Sequence, residues 1–163
     1  MESVVDSAVT RAEPEDVAKV ARLYYRVWHD THGPEMPLAE RGLRDETFFL
    51  LRVAGLMPDI FVRKNGTELH GFAAWSGAVL GQIFVEAEHR GSSVASELLM
   101  EVEAEMRSQG VAVAELYCLV GNHRARRFYE RMGWALHDTI EEPVKSLAGA
   151  ETRAFWMLTK AFS

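Results

Sequence analysis

Cysteine is almost missing from this sequence: Cys118 stands alone among 163 residues. An internal disulfide is therefore excluded, and the usage suits a reducing compartment, so a cytoplasmic location is expected. A basic surplus is also missing, with 18 lysines and arginines against 24 acids and a net charge of -6. That balance excludes the broad basic face of a general nucleic-acid binder. Long apolar runs are absent too. Stretches such as "FAAW" and "VAVA" fall far short of the ~20 residues of a membrane span. The opening "MESVVDSAV" carries acids where a secretory signal needs basic residues. Proline is scarce, and no Pro/Gly/Ser-rich linker divides the chain. The expectation is one domain over residues 1–163, with neither nucleic acid nor membrane as partner.

What the sequence does have is enough apolar material for a sizeable core, 48% of residues. "SAVTRA" (Ser7–Ala12) reads as a first strand. "EPEDVAKVARLYYRVW" reads as a helix, with Pro14 in its first turn and Val17, Val20, Ala21, Tyr24 and Val27 at helical spacing. A second helix is expected from Leu38 to about Val53, with Gly42 as a weak point. "DIFVRK" and "ELHGFAAW" flank "NGT", an Asn-Gly hairpin signal. Ala78–Val85 is a third strand, Ser93–Gln109 an amphipathic helix, and "VAVAELYCLV" a strand. "NHRARRFYERM" is a helix with Asn122 at its N-cap position. "WALHDT" and "RAFWMLTK" are the last strands. Interleaved helices and strands with an early antiparallel hairpin predict a mixed α/β (α+β) sheet.

Two junctions carry the chemistry. In "VEAEHRGSSVASELL" (Val85–Leu99) a strand passes through Arg-Gly-Ser-Ser into a helix. A helix N-terminus offers unpaired N–H groups and a partial positive charge, which a glycine loop can bring up to a phosphate. A serine-capped turn has the same ingredients. Neither the three-glycine dinucleotide pattern nor the phosphate-loop Gly-Lys-Ser/Thr is present. In "LVGNHRARRFYERMGW" (Leu119–Trp134) a second strand runs into a second helix. Ala125, Phe128, Tyr129 and Met132 share one face there, and Arg124, Arg127 and Arg131 lie on others.

Together the two stretches resemble the GNAT superfamily of acyl-CoA-dependent N-acyltransferases. Arg90 and Ala95 match an Arg/Gln-x-x-Gly-x-Gly/Ala signature, with Ser93 in place of its glycine and Ala87 where proline is frequent. Asn122, Ala125, Phe128, Tyr129, Gly133 and Trp134 match the second signature without a break. The resemblance implies one N-acetyltransferase domain with a mostly antiparallel sheet of six to seven strands and about four flanking helices. In that fold the strand equivalent to Ala78–Val85 splays from the one equivalent to Ala114–Val120. Carried over, the backbone of Phe84, Val85 and Ala87 binds the pantetheine arm of acetyl-CoA. The N–H groups of Gly91, Ser92, Ser93, Val94 and Ala95, with Arg90, hold its pyrophosphate. Asn122 and Phe128 contribute to the same cofactor site, and Tyr129 is the general acid. Trp28 and His32 fall on the substrate-facing connection, and Gln82 is the polar residue on the cofactor strand.

Some points stay open on the sequence. Ser93 is harmless at helical φ, but a left-handed φ would cost roughly 1–2 kcal/mol relative to glycine. Ala78–Val85 carries no carboxylate, which leaves His29, His32, His70, Glu46 and Glu115 as base candidates and none assigned. No metal is expected, since "WHDTH" lacks a third soft ligand nearby. Cys118, mid-strand among apolar neighbours, reads as a buried inert thiol ahead of a covalent acyl carrier. "RAFWMLTK", apolar on both faces, suits an interior strand or a homodimer interface. The acceptor is a small-molecule or protein amine. A non-catalytic acyl-CoA-binding module, or a transferase with another acyl donor, are the rivals.

Overall fold

The computed structural model describes residues 7–146 and 149–163. Seven strands form one sheet: β1 (Ser7–Arg11), β2 (Ile60–Asn65), β3 (Glu68–Ser76), β4 (Val79–Val85), β5 (Val113–Leu119), β6 (Ala135–Ser146) and β7 (Gly149–Ala161). Their order is β1-β2-β3-β4-β5-β7-β6. The helices are α1 (Val17–Thr31), α2 (Leu38–Leu43), α3 (Glu46–Leu56), α4 (Val94–Ser108) and α5 (His123–Arg131). The predicted mixed, mostly antiparallel architecture is present. Pairs β1–β2, β2–β3, β5–β7 and β6–β7 run antiparallel, whereas β4–β5 runs parallel.

One expected element is corrected. The helix read from Leu38 to about Val53 is two helices, α2 and α3. They part at Arg44 and Asp45 because the Asp45 carboxylate caps α3, accepting a hydrogen bond of 2.8 Å from the Phe48 amide. Apolar spacing suggested continuity, and a capping aspartate overrode it.

Two compact units are distinguished, Met1–Trp75 with Gln82–Glu103, and Ser76–Gly81 with Ala104–Ser163. In the first, the apolar stripe of α1 (Val20, Leu23, Tyr24, Val27) is buried with Phe49 of α3 and Phe72 of β3. Its polar counterpart faces outward, as a 3.6-residue period dictates. Gly71 of β3 is required by a close approach. A Cβ there would stand 2.9 Å from the Phe84 carbonyl oxygen and 3.1 Å from Cγ1 of Val94. The bare backbone therefore lets the first turn of α4 lie on the sheet. Gly71→Ala is expected to destabilise the fold by about 1–3 kcal/mol, the usual cost of overpacking. A thermal melt checks this, and an unchanged midpoint would contradict it.

In the second unit β5 alternates cleanly. Ala114, Leu116 and Cys118 are buried, while Glu115 and Tyr117 occupy the opposite face. The hairpin β6–β7 is longer than the short segments read from sequence, with paired residues from Ala135–Thr159 to Ser146–Gly149. β7 lies between β5 and β6. Its interior position accounts for a strand that is apolar on both faces. The β4–β5 ladder consists of Val79–Glu115 and Leu80–Leu116, with the Glu115 amide bonded to the Ala78 carbonyl at 2.9 Å.

Candidate functional site

In the first unit, β4 ends at Val85 and a 3-10 turn, Ala87–His89, leads into the loop before α4. Gly91 has φ +80° with open space around it, so only glycine takes this turn without strain. No residue other than glycine has a positive φ among the described residues, so Ser93 is unstrained. Its carbonyl accepts the Glu97 amide at 2.9 Å and opens α4. The question left by the missing signature glycine is therefore answered: serine fits this backbone.

The Ser93 hydroxyl donates to the Glu97 carboxylate, which also receives Arg63 Nε at 2.8 Å. That guanidinium, then Ser93, holds the Glu97 carboxyl below its ordinary range. Arg63 and Glu97 were not singled out in the sequence, because they lie far apart along it. The Ser93–Glu97 spacing of one helical turn was the only local signal. Ser92 donates its hydroxyl to the His89 carbonyl. The amides of Gly91, Ser93, Ala95 and Ser96 have no acceptor among the described residues. Arg90 is half-buried, and its Nη2 is enclosed without a hydrogen-bond partner among the described residues. A buried donor without an acceptor is costly in a finished structure. Here the unpaired guanidinium nitrogen stands in the same short loop as the helix amides. Such a donor set suits a phosphate oxygen.

Also in this unit, the Phe84 ring lies 4.7 Å from Tyr24 and 6.3 Å from His32. Trp28 stacks on His32 at 6.1 Å. The structure thus brings Trp28 and His32 of the α1 end together with Phe84 of β4. Gln82, Val85 and Ala87 are at least partly accessible on or just after the same strand. Among the base candidates, His29 binds the Arg44 carbonyl through Nε2 at 2.6 Å, and Glu46 is exposed in the first turn of α3. His70 is buried beside Glu68 at 3.1 Å.

In the second unit, Asn122 caps α5, its Oδ1 accepting the Ala125 amide at 3.2 Å. The signature asparagine therefore has a local structural task. Tyr129 lies about two turns further along the helix, its ring 5.2 Å from Phe128 and 6.4 Å from Trp134. Burial, and then the neighbouring Cys118, push the Tyr129 phenol far above its ordinary value. It is a neutral proton donor throughout the physiological range. The Cys118 thiol is itself pushed up by burial, with Arg126 opposing, so it is a poor nucleophile. Arg126 is occupied by the Trp156 ring at 4.6 Å and Glu130 at 3.3 Å, while Arg127 is exposed. Beside β5 a cavity of ≈ 280 Å³ is lined by Tyr117, Ile140, Glu142 and Phe155. Tyr117 donates to Glu115 at 3.2 Å.

The sequence matches the Acetyltransferase (GNAT) family over residues 17–134. No curated protein matches it significantly. Solved structures of similar fold include a GCN5-related N-acetyltransferase from Rhodopseudomonas palustris, 18% identical, with a TM-score of 0.74. That match covers 99% of this chain and 100% of the other. YncA from Salmonella typhimurium, solved with its cofactor acetyl-CoA, is 14% identical with a TM-score of 0.73, covering 96% and 94%. The PaiA N-acetyltransferase from Thermoplasma acidophilum, in complex with coenzyme A, is 16% identical with a TM-score of 0.71, covering 96% and 99%.

Proposed function

The chain belongs to the GNAT acetyltransferase family, and on that premise we propose that it moves the acetyl group of acetyl-CoA to a primary amine by direct attack. The observation that carries this reading is the Arg90 Nη2, without a partner among the described residues, in the same loop as amides at the N-terminus of a 15-residue helix that also lack an acceptor there. The amides at the start of α4, the left-handed turn at Gly91 and the helix dipole suit the pyrophosphate of the co-substrate, with Arg90 in the same loop. The backbone of Phe84, Val85 and Ala87 is assigned to the pantetheine arm. A backbone N–H near Val85 is assigned to the oxyanion that forms as the amine attacks the thioester carbonyl.

Collapse of that intermediate breaks the C–S bond; Tyr129 gives its phenolic proton to the departing thiolate, and the protons shed by the amine nitrogen pass to solvent, from which Tyr129 is reprotonated. Its raised pKa keeps the acid form present at any working pH, and it also makes the phenol a weaker donor than an ordinary tyrosine. A raised phenol pKa moves loss of the acid to higher pH. The pH profile of kcat is therefore expected to show no alkaline fall from Tyr129 up to about pH 10, the ordinary phenol value. A falling limb between neutrality and that point which vanishes in Tyr129→Phe would contradict the upward shift of the phenol, while leaving Tyr129 as the acid.

Trp28, His32 and Gln82 are assigned to the acceptor. An ammonium-bearing small molecule or protein amine suits the acidic chain, through steering toward negative charge. The test is release of free thiol from acetyl-CoA across a panel of amines, run beside longer acyl-CoA donors. Amine-dependent release with acetyl-CoA is expected. Tight binding without release would instead favour a non-catalytic acyl-CoA module, and faster release with a longer chain would move the donor assignment.

A further inference from the structure

Glu68 and His70 are two residues apart on β3, where the register against β2 shifts between Arg63 and Lys64, and the Glu68 carboxylate lies against the His70 ring. The Glu86 amide binds the His70 carbonyl at 2.9 Å, and the following 3-10 turn carries His89 over the His70 ring. The two imidazoles are 3.6 Å apart between centroids and tilted by 23°. His70 Nε2 lies 3.1 Å from Glu68 Oε1, and one ligand atom from each of the three residues falls within 4.8 Å of the others. His70 is only 6% exposed, His89 is half-buried and Glu68 is exposed. The His89 ring nitrogens have no hydrogen-bond partner among the described residues.

From this arrangement we propose that Glu68, His70 and His89 form a binding site for a zinc ion, separate from the acyl-transfer chemistry and independent of that reading. Two imidazoles and one carboxylate form a ligand set zinc accepts, with water completing a tetrahedron. Magnesium and calcium prefer oxygen ligands and are disfavoured by two imidazoles. The spacing of His70 Nε2 and Glu68 Oε1 is close to the ~3.4 Å edge of a tetrahedron with ~2.0–2.1 Å bonds. Zinc lies in the plane of a ligating imidazole, so binding turns the half-buried His89 ring out of its stack on His70. His89 directly precedes Arg90, and its carbonyl holds the Ser92 hydroxyl. The ion would therefore fix the turn that leads into the loop before α4.

Tag-free, chelator-stripped protein titrated calorimetrically with zinc chloride tests the site. One ion per chain is expected, with no saturable heat from magnesium chloride. Glu68→Gln and His89→Ala change side chains on the outer side of the cluster, and circular dichroism verifies their fold. Each is expected to weaken zinc at least about 10-fold, since second-shell losses alone reach that size. His32→Gln, which removes the competing His29–His32 pair, is expected to leave zinc affinity unchanged. Absence of saturable zinc binding, wild-type affinity in both cluster variants, or loss of binding in His32→Gln would each overturn the proposal.

Discussion

Replacing Tyr129 by phenylalanine is expected to lower kcat about 100-fold, at the modest end of what a general acid contributes. The modest end applies because coenzyme A leaves as a thiolate, whose conjugate acid is far more acidic than an alcohol or amine. The hydroxyl makes no hydrogen bond among the described residues, so its removal orphans no partner. Stability should therefore stay close to wild type, and kcat and kcat/KM should fall together. That pattern marks an interaction made only in the transition state. Steady-state kinetics with acetyl-CoA and the best amine of the panel provide the measurement. Unchanged kcat would remove Tyr129 from the proton transfer.

Arg90→Ala is the second large effect, and it falls on the other parameter. A hydrogen bond to a charged group contributes about 1.5–3 kcal/mol, which corresponds to a roughly 10- to 150-fold weaker hold on acetyl-CoA. The wild-type guanidinium keeps one enclosed nitrogen without a partner among the described residues, so truncation removes an unsatisfied donor as well as the proposed phosphate contact. The folded protein is expected to be as stable as wild type or slightly more so, even as KM for acetyl-CoA rises. This opposition between stability and affinity is the mark of a binding residue. A purely structural arginine would lose stability and leave KM in place. Parallel melts and kinetics separate the two cases.

Both signature stretches were legible because their requirements are local. A left-handed turn at Gly91 and an asparagine cap at Asn122 depend on a handful of consecutive residues. The strand count and the mixed sheet followed from equally short patterns. What escaped the sequence depends on neighbours distant along the chain or on competition between local signals. The apolar spacing from Leu38 onward concealed a break that the Asp45 cap imposes. The lengths of β6 and β7 were underestimated because their outer halves carry charged and small residues in place of apolar alternation. Ser93 could not be judged until its φ was known, since the same residue is strained or relaxed according to the loop around it. The Arg63–Glu97 pair joins residues 34 positions apart, and the zinc cluster brings His89 to Glu68 and His70 from 19 positions beyond His70, so no local pattern points to either.

The most direct test of the account is the amide spectrum of labelled protein during titration with acetyl-CoA. Saturable binding is expected at or below the ~1 mM upper range of ordinary substrate affinities. The largest shifts, and new protection from exchange, should fall on the amides of Gly91, Ser93, Ala95 and Ser96, which have no acceptor among the described residues. No saturation at millimolar acetyl-CoA, or saturation that leaves those four amides unmoved, would contradict the assignment of this loop to the pyrophosphate.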